Sequence, residues 1–166
     1  MKRSVPLKKN SNVTTAEYRK IEQMVKKCMR LLRKKEYELE LPTNCPDIAA
    51  RVLEVRKTMG YRSRAGARVI KINIAYPYLT FQEYKAFKDH PTIGSIRCND
   101  WEDVMWVLVA HEVSHHVQYR YCWRVKRFRQ NYDKPHGECF KQIYSYLRRD
   151  LVNPMIKEKA AAKVAA

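Results

Sequence analysis

Residues 100–118, DWEDVMWVLVAHEVSHHVQ, decide how this chain is read. Asp100 is a natural helix N-cap, and Asp103 three residues on completes a weak capping box. Trp101, Val104, Met105, Leu108 and Val109 follow at spacings of three and four, so a helix is expected to run at least to Gln118. Within that helix lies His111-Glu-Val-Ser-His115. Residues four apart on a helix differ by about 40° in azimuth and about 6 Å in rise, so both imidazoles can close on one Zn²⁺ at about 2.0–2.1 Å. Glu112 points about 100° away and can hold an attacking water without itself ligating. A catalytic zinc takes three protein ligands and keeps its fourth position for water, so a third ligand is required.

The candidates for that ligand are His90, His116, Asp133, His136 and Glu138. His116 is rotated about 100° from His115 and cannot share its face. His90 sits in a His-Pro loop before the motif, where nothing marks it. His136 opens the last helical segment, after enough chain for the first helix to end and turn back. Glu138 would complete two histidines and a carboxylate, another known zinc set, and stays open on this reasoning alone.

Outward from the motif, the 166 residues are the size of one domain. Residues 1–13 are basic and aperiodic and read as a flexible arm, 14–155 as the folded domain and 156–166 as a tail, frayed or disordered. Tyr18, Ile21, Val25, Cys28 and Leu32 form one stripe of a helix that Pro42 and Pro46 bring to an end. The stretch Ile48 to Met59 fits helix or strand equally. Gly60 to Ala67 has turn chemistry. Arg68 to Ile74 alternates as a strand, expected to pair as a hairpin with residues 52–57 and to offer its edge to an extended substrate. Thr80 is placed to cap a short helix through Phe87. A last helix from about Pro135 carries Phe140, Ile143, Tyr144, Leu147 and Leu151 and is expected to end at Pro154. The expected fold class is α+β, with helices packed on a short antiparallel sheet.

The balance of 34 Lys and Arg against 17 Asp and Glu gives a formal charge of +17, which attracts polyanions; nucleic acid, DNA in particular, is the expected partner beside a protein substrate. The candidate contacts are Lys26, Lys27, Arg30, Arg33 and Lys34 on the first helix and Arg124, Lys126 and Arg127 after the motif. Trp101 is expected in the core, whereas Tyr121 and Trp123 suit core packing or base stacking equally. Cys28, Cys45, Cys98, Cys122 and Cys139 form no C-x-x-C pair and read as reduced thiols. The longest apolar run, Val104 to Ala110, is far short of the roughly 20 residues of a membrane span, and the N-terminus has no signal core, so a cytoplasmic protein is expected.

Val109-Ala-His111-Glu-Val-Ser-His115-His-Val-Gln118 together with His136-Gly-Glu-Cys-Phe140 resembles the SprT-like zinc metalloproteases, whose signature is HExxH followed by a histidine in an H-G-x-x-F setting. The turn and strand Met59-Gly-Tyr-Arg62 and Ile70-Lys-Ile-Asn73 are similar to the glycine turn and I-x-x-N strand of that family. The resemblance implies a zincin-like domain with one zinc on His111, His115 and His136, Glu112 as general acid–base, and action on proteins bound or cross-linked to DNA. It also implies a departure, since the cysteine zinc ribbon of many members has no counterpart here. The expectation is a zinc-dependent metalloendopeptidase; the alternative is a basic nucleic-acid-binding module with a non-catalytic zinc site.

Overall fold

The computed structural model describes residues 12–44 and 51–166. Most of the expected arm, Cys45, Pro46 and Ile48 lie outside the described residues. Val13, assigned above to the arm, is buried against the core, and Asn12 donates from Nδ2 to the Lys57 carbonyl at 2.6 Å.

Helix α1 (Thr15–Leu32) begins at a complete capping box: the Thr14 hydroxyl accepts from Glu17 N–H, and the Glu17 carboxylate accepts from Thr14 N–H at 2.8 Å. Its buried stripe is Ile21, Met24, Val25, Cys28, Met29 and Leu32, and its cations lie on the other faces. Strands β1 (Leu53–Arg56), β2 (Arg64–Ala65) and β3 (Ile70–Asn73) form a sheet in the order β1-β3-β2, while β4 (Thr80–Phe81) and β5 (Ile96–Arg97) make a separate antiparallel pair. Helix α2 (Trp101–Tyr121) carries the motif, with Asp100 accepting from Asp103 N–H as N-cap. Every residue of α2 from Asp103 to Gln118 is buried except the half-buried His111, because α1, α3 and the sheet all pack on it. Helix α3 (Glu138–Leu147) follows, then a π-helical turn, Arg148–Val152, and α4 (Asn153–Ala165).

The architecture is α+β. Several expectations change: α1 ends at Leu32, well before Pro42, and the three-stranded sheet is mixed rather than antiparallel. The hairpin partner of β3 is β2, with Arg64 opposite Lys71, while β1 runs parallel to β3 in the register Leu53 to Ile70. Only a short turn around Gly66 joins β2 to β3, which suits an antiparallel pair, and β1 lies along the other side of β3. Asn73 holds this crossover: its side chain accepts from Thr58 N–H and donates to the carbonyls of Thr58 and Tyr61. As β3 is central, it has no free edge. Thr80 begins a strand rather than a helix, and only Lys85–Phe87 forms a 3-10 turn. Pro154 starts α4 instead of ending α3, since proline's missing N–H costs nothing in a first turn, and the tail from residue 156 continues as helix through Ala165.

Candidate metal centre

His111 and His115 stand one turn apart on α2, and His136 arrives from the loop that precedes α3. Their ligand atoms lie within 4.8 Å of one another, close enough to hold a metal ion. The Nε2 atom of His136 is 3.0 Å from that of His115 and 3.2 Å from that of His111. A tetrahedral zinc with Zn–N of about 2.0–2.1 Å requires ligand nitrogens about 3.3–3.4 Å apart, and His136 stands at nearly that spacing from each of the other two.

The tautomers follow from the surroundings. Gln118, fully buried, donates from Nε2 to the Lys134 carbonyl at 2.7 Å, which leaves its Oε1 to accept from Nδ1–H of His115 at 3.2 Å. Nδ1 of His111 faces the buried Glu83 carboxylate at 3.1 Å and so carries its proton. In both rings the Nε2 lone pair therefore points at the shared centre, where lone pairs repel unless a cation or proton lies among them. Burial, followed by the neighbouring His111 and His136, pushes the pKa of His115 down to about 3, which favours the neutral, ligating ring. Burial likewise lowers that of His136. The donor set fits a metal ion.

His136 is held in a left-handed backbone conformation, φ 54°. This is uncommon for a residue with a Cβ, although histidine tolerates it better than most, and here it turns the ring toward α2. Tyr84 stacks on the ring at 4.6 Å with 14° between planes, and Phe140, fully buried, lies 4.2 to 4.9 Å from all three imidazoles. Phe140 is thus a hydrophobic floor that fixes the rings and restricts water beneath them.

Glu112 is buried beside the triad, and its Oε2 has no hydrogen-bond partner among the described residues. Burial first, with Glu83 adding to it and His111 opposing, pushes its pKa up to about 7. The carboxyl lines a cleft of about 960 Å³ together with His111, His115, His136, the tyrosines 61, 76, 78, 84 and 119, and the β2 segment Ser63-Arg64-Ala65. The strand edge beside the histidines therefore belongs to β2.

The other ligand candidates are engaged elsewhere. His90 accepts the backbone N–H groups of Thr92 and Ile93. His116 is buried and donates from Nδ1 to the Gly66 carbonyl at 2.8 Å, tying the β2–β3 turn to α2. The exposed Glu138 pairs with Lys141, and Asp133 stands exposed outside the triad. Glu83 and Gln118 escaped the sequence reading. Gln118 had a usable signal, three residues after His115 on the same helix, whereas nothing in the sequence around Glu83 marks it.

The candidate nucleic-acid contacts lie outside the cleft. Lys26 pairs with Glu22, Lys27 sits over the Trp106 ring at 5.5 Å, and Arg30, Arg33, Lys34 and Lys126 are exposed. Arg127 donates to the Tyr37 carbonyl and pairs with Glu38, which brings the 124–127 segment to the turn after α1. Tyr121 is in the core, whereas Trp123 is 47 % exposed with the Arg124 guanidinium 4.8 Å from its ring. Trp101 is half-buried and donates to the Ile74 carbonyl at 3.0 Å. Among the described residues no helix is long and apolar enough to cross a membrane.

No family model, curated protein or solved structure matches this chain.

Proposed function

We propose that the protein is a zinc-dependent endopeptidase of the SprT-like, zincin-like kind. The observation that carries this reading is the convergence of three imidazoles beside the buried Glu112 carboxyl in an open cleft. His111, His115 and His136 would hold one zinc, three nitrogen ligands with a position left open being the usual catalytic zinc set. When bound, zinc supplies Lewis acidity, which acidifies a water and polarises a carbonyl.

The remaining steps belong to the chain's own groups. Glu112, whose carboxyl lines the cleft, accepts the proton of the attacking water and delivers it to the departing amine. Glu83 and Gln118 orient two of the ligands through their Nδ1 protons. Among the described residues no strand pairs with the outer side of β2, which borders the cleft, so it suits an extended backbone bound by main-chain hydrogen bonds, with little sequence preference.

The choice of target then falls to location. The basic face of α1 and the 124–127 segment, joined through Arg127, would hold the enzyme on DNA or on proteins attached to it. The four free, buried cysteines Cys28, Cys98, Cys122 and Cys139 suit a reducing, cytoplasmic compartment.

The test measures cleavage of casein and of a DNA-bound protein by the zinc-loaded chain, with and without single-stranded DNA, beside Glu112→Gln. Cleavage that requires zinc and is lost in Glu112→Gln is expected. Equal activity in that variant defeats the role of Glu112. Tight, salt-sensitive DNA binding with no cleavage under any condition favours a nucleic-acid-binding module with a non-catalytic site.

A further inference from the structure

Arg148 is among the largest fully buried side chains of the protein. Its hydrogen bonds go to neutral groups: Nε to Asn153 Oδ1 at 2.7 Å, Nη1 to the Tyr144 hydroxyl at 2.8 Å and Nη2 to the Gly94 carbonyl at 3.1 Å. A guanidinium taken out of water without a directly paired carboxylate is costly to the fold, so its place there needs a reason. The residue also opens the π-helical turn Arg148–Val152, a departure from regular α-helix of the sort that often marks functional sites.

The directions of the hydrogen bonds supply that reason. Arginine has only donors, so the Tyr144 oxygen accepts from Arg148 and its proton is left for the neighbouring Glu83 carboxylate, while the phenol ring meets the His111 ring edge-on at 5.3 Å. Glu83 accepts in turn from Nδ1–H of His111. A second route reaches the backbone of the same residue, since Arg148 grips the carbonyl of Gly94 and the next side chain, Ser95, accepts from Glu83 N–H at 2.8 Å. The position of Gly94 is fixed tightly, because a Cβ there would lie 2.9 Å or less from backbone atoms of Lys88 and His90. One buried cation therefore holds Glu83 at its carboxylate through a phenol and at its backbone through a loop.

We propose that Arg148 and Tyr144 are positioning residues for the metal ligand His111. Through Glu83 they fix the His111 ring with Nδ1 protonated and Nε2 aimed at His115 and His136 before any metal arrives. The inference rests on the metal-centre reading and is independent of whether the bound metal hydrolyses peptides.

The test uses the full chain with two substitutions, Tyr144→Phe, which cuts the relay at one oxygen, and Arg148→Met. Zinc affinity is measured by competition with a chromogenic chelator, the cobalt form by its visible absorption, and the metal-free protein by its thermal midpoint. Tyr144→Phe is expected to bind zinc about 10- to 100-fold more weakly and to change the cobalt spectrum, as loss of a ligand's outer partner does elsewhere. Arg148→Met should do the same; if it does not fold, Tyr144→Phe decides. Wild-type zinc affinity and an unchanged cobalt spectrum in Tyr144→Phe, with only the metal-free midpoint lowered, would mean a purely structural role and overturn the proposal. A wild-type chain that binds no zinc overturns the metal-centre reading and this inference together. A wild-type chain that binds zinc without hydrolysing peptides defeats the peptidase reading alone, and the Tyr144→Phe titration still decides this one.

Discussion

Replacing Gln118 with Met keeps side-chain volume and helix propensity while removing both hydrogen bonds of the amide, which joins the second ligand to the loop that carries the third. The Lys134 carbonyl belongs to an exposed residue and can turn to water, so its loss is small. Nδ1–H of His115 cannot do so, because His115 is 8 % exposed and packs under Tyr119 and Phe140. A buried donor left unpaired costs about 1–3 kcal/mol, so the metal-free protein should lose about that much. The second effect concerns the metal. With no acceptor on Nδ1, the His115 ring is free to rotate or change tautomer, and zinc affinity should fall about 10- to 100-fold. Urea denaturation of the metal-free protein reads the first effect and chelator competition the second. A stability loss below about 0.5 kcal/mol would mean that the buried amide does not make these bonds. Full stability loss with wild-type zinc affinity would mean that Gln118 packs without orienting His115.

Phe140→Ala removes a fully buried ring from beneath all three imidazoles and should cost about 3–5 kcal/mol, read from the denaturation midpoint; a loss under about 1 kcal/mol would contradict its place in the core. At position 136 the left-handed backbone predicts a contrast. His136→Asn should keep the metal-free fold, whereas His136→Val, β-branched at φ 54°, should lose a further ~1–3 kcal/mol; both should lose zinc, and equal midpoints would refute the strain argument. The ion pair with Lys57, then the Thr14 backbone hydrogen bond, lowers the pKa of Glu17 below its ordinary 4.5. A carboxylate lowered in the folded state stabilises above its unfolded value, and that stabilisation is lost as pH falls through the folded one. The gap between wild type and Glu17→Gln in urea midpoint should therefore be full near neutral pH and close as pH drops below about 4.5; a gap that widens in acid would reverse the assignment.

Local rules made α1 and α2 readable. The Asp100 cap and three-four apolar spacing act within a few residues of one another, so composition and order suffice, and the Thr14–Glu17 capping box that the structure shows is of the same local kind. The same holds for His111, Glu112 and His115, whose mutual geometry is that of one helical turn. The arrival of His136 at the other two ligands took the tertiary structure to show, because it depends on a strained backbone angle and on where α3 packs. So did the partners that hold the ligands. Glu83 meets His111 across 28 positions, and Arg148 reaches Gly94 across 54, separations that no periodicity encodes. The sheet was misread for a related reason: alternation identifies a strand but not its neighbour, and β2, two residues long, claimed the antiparallel edge that pattern alone assigned to β1. Pro154 marks the same boundary between levels. Its missing N–H can end one helix or begin another, and the π-helical turn ahead of it, built around the buried Arg148, settled the matter.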